Sequence, residues 1–251
     1  MPVCIGARRK IKRANKHIAD LESCIDDLKK RLIVSVHVDP NTGCESIKSS
    51  FESAEDVVAL KDDLSVILGD AVHNLKCALD YIWQETVTRL IPNRRWERTK
   101  FPCYPTADAL ERKLAESKIA VSAPRFSHFL VHNIKPYREG DWAIWAVHEL
   151  DIRDKHRLLI PSIQYSSISD IHLEDEHGEV SRWDTWSGPM FPHFVVNFDG
   201  SRHIKDPGHA SLAVVFEKGN SGEFTRAPDT LQFYSAHIFM IVKLFEEFTE
   251  A

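Results

Sequence analysis

Two long runs of apolar residues, spaced alternately three and four positions apart, most constrain the fold of this chain. A 3–4 spacing places apolar side chains along one stripe of a helix. The first stripe predicts a helix over residues 7–32, and the second predicts a helix that ends near Leu90. The stripes consist of Ile11, Ala14, Ile18, Leu21, Ile25, Leu28 and Leu32, and of Val57, Leu60, Leu64, Ile67, Ala71, Leu75, Ala78 and Ile82. Their matching period predicts two helices packed at a shallow angle in a bundle.

The rest of the chain changes from helical to alternating patterns near Leu158. Weaker helices are predicted near 107–117 and 124–133, and a stronger one is predicted over 142–156. Four later segments read as strands: Leu159–Ser166, Ile168–Leu173, His193–Phe198 and Leu212–Phe216. The predicted fold class is therefore α+β in one domain over 1–251. A mainly helical bundle (1–158, with a short hairpin near 33–51) precedes an antiparallel sheet (159–228) and a closing helix (229–251).

Composition excludes several classes of protein. The 251 residues carry a formal charge of −5, which argues against a protein that coats nucleic acid with its whole surface. No apolar run reaches the roughly 18 residues of a membrane span, and the first residues lack a signal-peptide core, so we expect no membrane contact and a cytoplasmic location. Five widely spaced cysteines without a C-x-x-C pair predict reduced thiols. The first stripe could face a second copy of the chain, which makes a homodimer an open expectation.

The second helix carries a polar face beside its apolar stripe. At 100° per residue, six side chains fall within an arc of about 120°. They are Asp70, His73, Asn74, Cys77, Asp80 and Tyr81. A solvated helix face would favour Lys and Glu, whereas short Asp, His and Asn side chains suit a site that must be held in place. The face is a candidate site, and the alternative is a polar face that pairs with neighbouring backbone groups.

A second candidate segment runs from Trp145 to Arg157. His148 and Asp151 share one helix face, and His156 and Arg157 lie where the helix ends. We expect His156 to act as an acid or base and Arg157 to bind an anion, although both could simply complement the negative end of the helix. The stretch from His148 begins like the zinc-binding H-E-x-x-H motif, but Ile152 occupies the second ligand position, which excludes that metalloprotease class.

Five short motifs over about residues 64–160 resemble a large family of uncharacterised bacterial and phage proteins. They are Gly69-Asp70-x-x-His73-Asn74-Leu75-x-x-Ala78-Leu79-Asp80, Phe101-Pro102, Pro136-Tyr137, Trp145-x-x-His148 and Asp154-Lys155-His156-Arg157. The usual form of the first motif has Arg at the position of Lys76 and His at the position of Tyr81. That pair is typical of the HEPN ribonucleases, which are all-helical modules of defence and toxin systems. The resemblance implies a distantly HEPN-like protein, here with both diagnostic residues replaced. Arg125 and His132 fit the looser HEPN spacing elsewhere.

Three functions remain open from the sequence. The first is a metal-independent ribonuclease or nucleotide-processing enzyme of phage defence, with RNA or a nucleotide as its partner and no cofactor. Its acid–base residues would be His73, His148 and His156, and its binding residues Asp70, Asn74, Lys76, Asp151 and Arg157, with Lys155 as a further cation. The second is a hydrolase whose divalent metal is bound by Asp70, His73, His148 and Asp151. The third is a non-catalytic module in which both segments join helices and sheet.

Overall fold

The computed structural model describes most of the chain, apart from a few short segments. The described residues are 4–51, 53–92, 95–96, 99–157, 159, 161–187, 194–197, 202–216 and 226–250. The helices are α1 (Ile5–Lys30), α2 (Ala54–Leu90), α3 (Ala107–Glu116), α4 (Ile119–Ser122), α5 (Pro124–Phe129), α6 (Trp142–His156) and α7 (Ala227–Glu250). The strands are β1 (Leu32–Val38), β2 (Glu45–Phe51), β3 (Pro161–Asp175), β4 (Val180–Ser187), β5 (Phe194–Asn197), β6 (Arg202–Asp206) and β7 (His209–Phe216). This order confirms the predicted α+β class.

The two apolar stripes lie in the interior, as the sequence predicts. The α1 stripe from Ile11 to Leu28 is at most 5% exposed, and α1 packs against both α2 and α7 of the same chain. On α2 the stripe is fully buried at Leu64, Ala71 and Ile82. The side chain of Val57 lies outside the described part of the chain. Because the α1 stripe is covered within the chain, a homodimer would have to use another surface.

Side-chain caps fix the starts of two helices. The backbone N–H of Ala109 donates to Thr106 Oγ1 (3.2 Å) at the start of α3, and the N–H of Ile144 donates to Asp141 Oδ1 (2.9 Å) at the start of α6. The other oxygen of Asp141 lies 2.6 Å from His237 Nε2 on α7. This contact ties the first turn of α6 to the closing helix. The helix predicted near 124–133 is α5 followed by a π-helical turn at Leu130–Ile134.

The described strands form two antiparallel sheets instead of the predicted single one. In one sheet the order is β1-β2-β5, so the early hairpin pairs with a strand from the later part of the chain. In the other, β3 pairs with β4 on one edge and with β6 and β7 along the other. The two strands predicted around Ser166 and Ile168 are one strand, β3, with a bulge between Tyr165 and Ser167.

The sequence did not predict strands β4 and β6, because many of their side chains are polar and face water. In β6 four of the five residues are exposed, and the charged sequence R-H-I-K-D has no apolar alternation. Strand β4 likewise exposes Arg182 and Trp183. The flanks of the predicted strand His193–Phe198, and residues 217–225 of the predicted sheet region, lie outside the described residues.

Two hydrophobic cores hold these layers together. The main core joins the helices to Leu212, Val214 and Phe216 of β7, so β7 packs on the helical part. A small second core contains Ile47, Ile168, Ile171 and Leu173, from both sheets. The carboxylate of Glu45 at the start of β2 also accepts a hydrogen bond from the backbone N–H of Ile204 in β6. Among the described helices, none has the length and apolarity needed to cross a membrane.

Candidate functional site

Helices α2 and α6 pack closely where Gly69 faces Asp154. A Cβ atom at position 69 would overlap the Asp154 carboxylate, so a larger residue would force a shift. Burial raises the pKa of Asp154, against a backbone hydrogen bond from Leu159 that lowers it, and the carboxylates of Asp151 and Asp70 add to the rise. This close approach brings the polar faces of the two helices together.

One turn further along α2, four side chains form what we call the surface cluster: His73, Cys77, Asp151 and Lys155. His73 Nδ1 lies 2.9 Å from Asp151 Oδ1, and Lys155 Nζ donates to the other oxygen of Asp151. Cys77 Sγ lies 3.4 Å from His73 Nε2. The Asp151 side chain is 3% exposed, whereas His73 is 46% and Lys155 45% exposed. A buried carboxylate therefore anchors an imidazole and an ammonium group that both reach solvent.

The hydrogen bonds of His73 determine its tautomer. An ionised Asp151 can only accept, so Nδ1 of the imidazole carries a proton and donates it to Oδ1. In the neutral ring Nε2 is then an acceptor, and the thiol of Cys77 donates to it. Thiol, imidazole and carboxylate in this order are the arrangement that activates a nucleophile through a positioned base.

A basic groove, lined by Gly6, Arg9, Lys10, Arg13, Asn74 and Tyr81, adjoins the surface cluster with a volume of about 350 Å³. Lys10 Nζ donates to Asn74 Oδ1 (3.4 Å), and Asn74 Nδ2 donates to the backbone oxygen of Asp70 (2.8 Å). The first half of α1, which carries the basic residues Arg8, Arg9, Lys10, Lys12, Arg13 and Lys16, therefore lies beside the polar face of α2. Because Asn74 and Tyr81 lie one turn before and one turn after Cys77 on α2, a ligand in the groove would lie next to the surface cluster.

Lys76 does not face this groove. Its side chain is 5% exposed, and Nζ donates to Asp80 Oδ1, which also accepts from the backbone N–H of Phe101 (2.8 Å). We call Lys76, Asp80 and the Phe101 N–H the buried clasp. Lys76 is thus engaged within the fold, while Tyr81, at the other HEPN-type position, is 47% exposed and lines the basic groove.

His148 belongs to a separate aromatic cavity of about 360 Å³. The cavity is also lined by the rings of Trp83, Trp96 and Phe101. Burial lowers the pKa of His148, and the charge of Lys76 lowers it further. His148 Nδ1 is buried without a hydrogen-bond partner within the described structure. His148 and Asp151 are on the same helix, but it is Asp151 that contacts His73.

The other predicted site residues, Asp70, His156 and Arg157, are all exposed. Asp70 is exposed, and its backbone carbonyl, not its carboxylate, contacts Asn74. His156 is the exposed last residue of α6, and Arg157 is exposed immediately after it. The structure thus brings together His73 and Asp151, with Asn74 alongside, and leaves His148 and His156 elsewhere.

Sequence reasoning gave no catalytic role to Cys77 and treated Lys155 only as a further cation. Both could have been found from helical spacing, since His73 and Cys77, like Asp151 and Lys155, are four residues apart and share a face. The contribution of Lys10 depends on which turn of α1 lies beside Asn74 of α2, and the matching stripes predict that the helices pack but not which turns face each other.

Two further sequence hypotheses concern metals and the second HEPN-like pair. Across the described residues, no three His, Cys, Asp or Glu side chains are close enough together to hold a metal ion. Arg125 and His132 are both exposed, in α5 and the π-helical turn. The ring of His132 lies 4.4 Å from the ring of His128.

Comparisons of the chain with models of protein families, with characterised proteins and with solved structures find no match.

Proposed function

We propose that this protein binds RNA or a nucleotide in the basic groove and breaks a phosphate ester at the surface cluster, with His73 as the acid–base residue. The observation that carries the proposal is the half-exposed imidazole of His73, held by the buried carboxylate of Asp151. A positioned imidazole can accept or donate the proton that phosphate ester cleavage requires. No bound metal is assigned a role in this proposal.

The charges around His73 suit an anionic substrate. Lys155 lies on one side of the cluster, and Lys10, Arg9 and Arg13 lie on the groove side. The net charge of the chain is −5, so these cations form a local patch on a protein that is otherwise acidic. Cationic side chains at this position can bind phosphate oxygens and stabilise the charge that develops during cleavage.

The resemblance to HEPN ribonucleases supports the same substrate class and a role in phage defence. We assign the activity to residues other than the HEPN pair, because Lys76 belongs to the buried clasp and Tyr81 lines the groove. We assign the activity to the cytoplasm, where thiols stay reduced, since all five cysteines are free.

Binding of a short labelled single-stranded RNA, followed by fluorescence anisotropy over a range of salt concentrations, tests the proposal. We expect the affinity to fall with salt, and the double variant Arg9→Ala/Arg13→Ala to reduce the slope of that dependence by roughly 0.7 for each phosphate that is no longer neutralised. The control is Lys29→Ala/Lys30→Ala, which removes two cations from the far end of the same helix. Equal effects of the two double variants, or no binding by the wild type, would contradict a site in the basic groove.

A further inference from the structure

Cys77 lies between the acid–base residue and the basic groove. Its sulfur is 3.4 Å from His73 Nε2, and His73 is held on its other side by Asp151 at 2.9 Å. Cys77 and His73 are one turn apart on α2, so the helix itself fixes their separation. Among the described residues, Cys77 is the one cysteine of five whose sulfur lies within hydrogen-bonding distance of a histidine nitrogen.

The surroundings of Cys77 act in two directions on its thiol. Burial raises the pKa of the Cys77 thiol, and the carboxylates of Asp80 and Asp151 act in the same direction. The charges of Lys10 and Lys155 oppose this rise, and both lysines border the proposed phosphate site. The resting group is therefore a thiol, which needs a base beside it at the moment of reaction.

We propose that Cys77 is the nucleophile of this site and that it takes the phosphoryl group of the substrate onto its sulfur. The inference rests on the proposed function, because it deepens the chemistry of the same site. In the first step the Cys77 proton moves to His73 Nε2 while the sulfur attacks phosphorus. The S–P bond forms, the bond from phosphorus to the leaving oxygen breaks, and His73 gives its proton to that oxygen.

The second step restores the thiol. A water molecule gives a proton to His73 Nε2, and its oxygen attacks phosphorus. The P–S bond breaks, and the sulfur of Cys77 takes the proton back from His73. No atom is oxidised or reduced, and the 2′-hydroxyl of the substrate takes no part. This last point separates a cysteine nucleophile from attack by the 2′-hydroxyl of RNA.

The test compares cleavage of a single-stranded RNA with cleavage of the DNA strand of the same sequence. A cysteine nucleophile predicts that the wild type cleaves both strands at rates within about tenfold. It also predicts that Cys77→Ala lowers both rates by at least about a hundredfold. Acid quenching during the first turnover should give the peptide that contains Cys77 the added mass of a nucleotide fragment. The matched control is Cys24→Ala, which removes a half-buried thiol of α1 whose pKa burial also raises.

The outcomes separate the two proposals. Cleavage of RNA alone, retained in Cys77→Ala and lost in His73→Gln, would overturn the cysteine nucleophile and leave the proposed function intact. Failure of the wild type to bind or cleave either strand would overturn the proposed function and, with it, this inference.

A measurement without substrate tests independently whether His73 acts as the base of Cys77. We expect His73→Gln to slow alkylation of Cys77 by iodoacetamide at least about tenfold, because the base is lost, while His128→Gln leaves the rate unchanged. Equal alkylation rates in the wild type and His73→Gln would overturn the role of His73 as the base of Cys77.

Discussion

Two ion pairs with the same local geometry have opposite environments in this protein. Lys76 and Asp80 are four residues apart on α2, and Asp151 and Lys155 are four residues apart on α6. In the buried clasp the lysine is 5% exposed and the aspartate 29%, whereas in the surface cluster the aspartate is 3% exposed and the lysine 45%. Spacing alone therefore does not distinguish a structural pair from a functional one.

The difference lies in what the carboxylate holds. Asp80 accepts from the backbone N–H of Phe101, so the clasp fixes the chain that follows α2. Asp151 holds the imidazole of His73, whose second nitrogen faces Cys77 near solvent. We infer that the clasp stabilises the fold and that the surface cluster carries the chemistry, and the following three experiments test this division.

The largest effect is expected from His73→Gln. Loss of the acid–base group should lower the cleavage rate by about 10² to 10⁴-fold. The free energy of unfolding should change by no more than about 1 kcal/mol, because the side chain is 46% exposed. Cleavage assays and urea denaturation measure the two quantities, with His128→Gln as the control. Intact cleavage with a large loss of stability would make the surface cluster a structural element.

Asp80→Ala should produce the reverse result. It leaves the charge of Lys76 buried and the Phe101 N–H without its acceptor, which should lower the free energy of unfolding by about 3–5 kcal/mol. Urea denaturation measures the loss, and Asp62→Ala, an exposed position on the same helix, should change stability by less than about 0.5 kcal/mol. Similar small changes in both variants would rule out a stabilising role for the clasp.

The pH dependence of stability tests whether His148 stabilises the fold, as the buried clasp does, or acts with the surface cluster. Burial lowers its pKa below the ordinary value near 6.5, so the unfolded chain takes up a proton more readily than the folded one. Above that ordinary value His148 is neutral in both states, and its burial does not lower the free energy of unfolding. As the pH falls below that value, the unfolded chain takes up the proton first and the free energy of unfolding falls. His148→Gln should make the fall in unfolding free energy between about pH 7.5 and about pH 5 shallower.

Urea denaturation at the two pH values measures this change for His148→Gln. The same measurement on His177→Gln, which changes an exposed histidine of the β3–β4 turn, provides the control. It should follow the wild type at both pH values. If His148→Gln also follows the wild type, His148 is not held neutral by the fold.

The sequence predicted the long helices α1, α2, α6 and α7 well because each has a buried stripe of regular period. The stripes of α1 and α2 and the boundaries of α6 follow from residues close together in the chain. The pairing of β2 with β5 does not, because it depends on contacts between distant segments. For the same reason the sequence predicts one sheet, whereas the described strands form two.

The geometry of the candidate site was predictable in part. The short polar face of α2 pointed to His73 and Asn74, and the face of α6 pointed to Asp151, which the structure places together. Lys76 was expected to bind a ligand, but it shares a helix face with the fully buried Val72 and Leu79, so its side chain lies in the interior. His148 was expected beside His73, but it faces an aromatic cavity. Trp96 and Phe101 of that cavity lie in the segment after α2, whose apolar residues have no regular period, so no pattern in the sequence predicts the cavity.

The bond between Glu45 and Ile204 has a consequence for how fast the protein folds. Its partners are 159 positions apart in the sequence, and it joins two sheets that share the small core of Ile47 and Ile171. Loop closure over such a distance must occur before these contacts contribute any free energy. The α1–α2 pair is joined over shorter separations, such as the 64 positions between Lys10 and Asn74, and can form earlier, whereas the sheets must wait for a slower search. Until β5 arrives, the β2 edge of the β1–β2 hairpin is open to strands of other chains, so aggregation competes with folding at this edge.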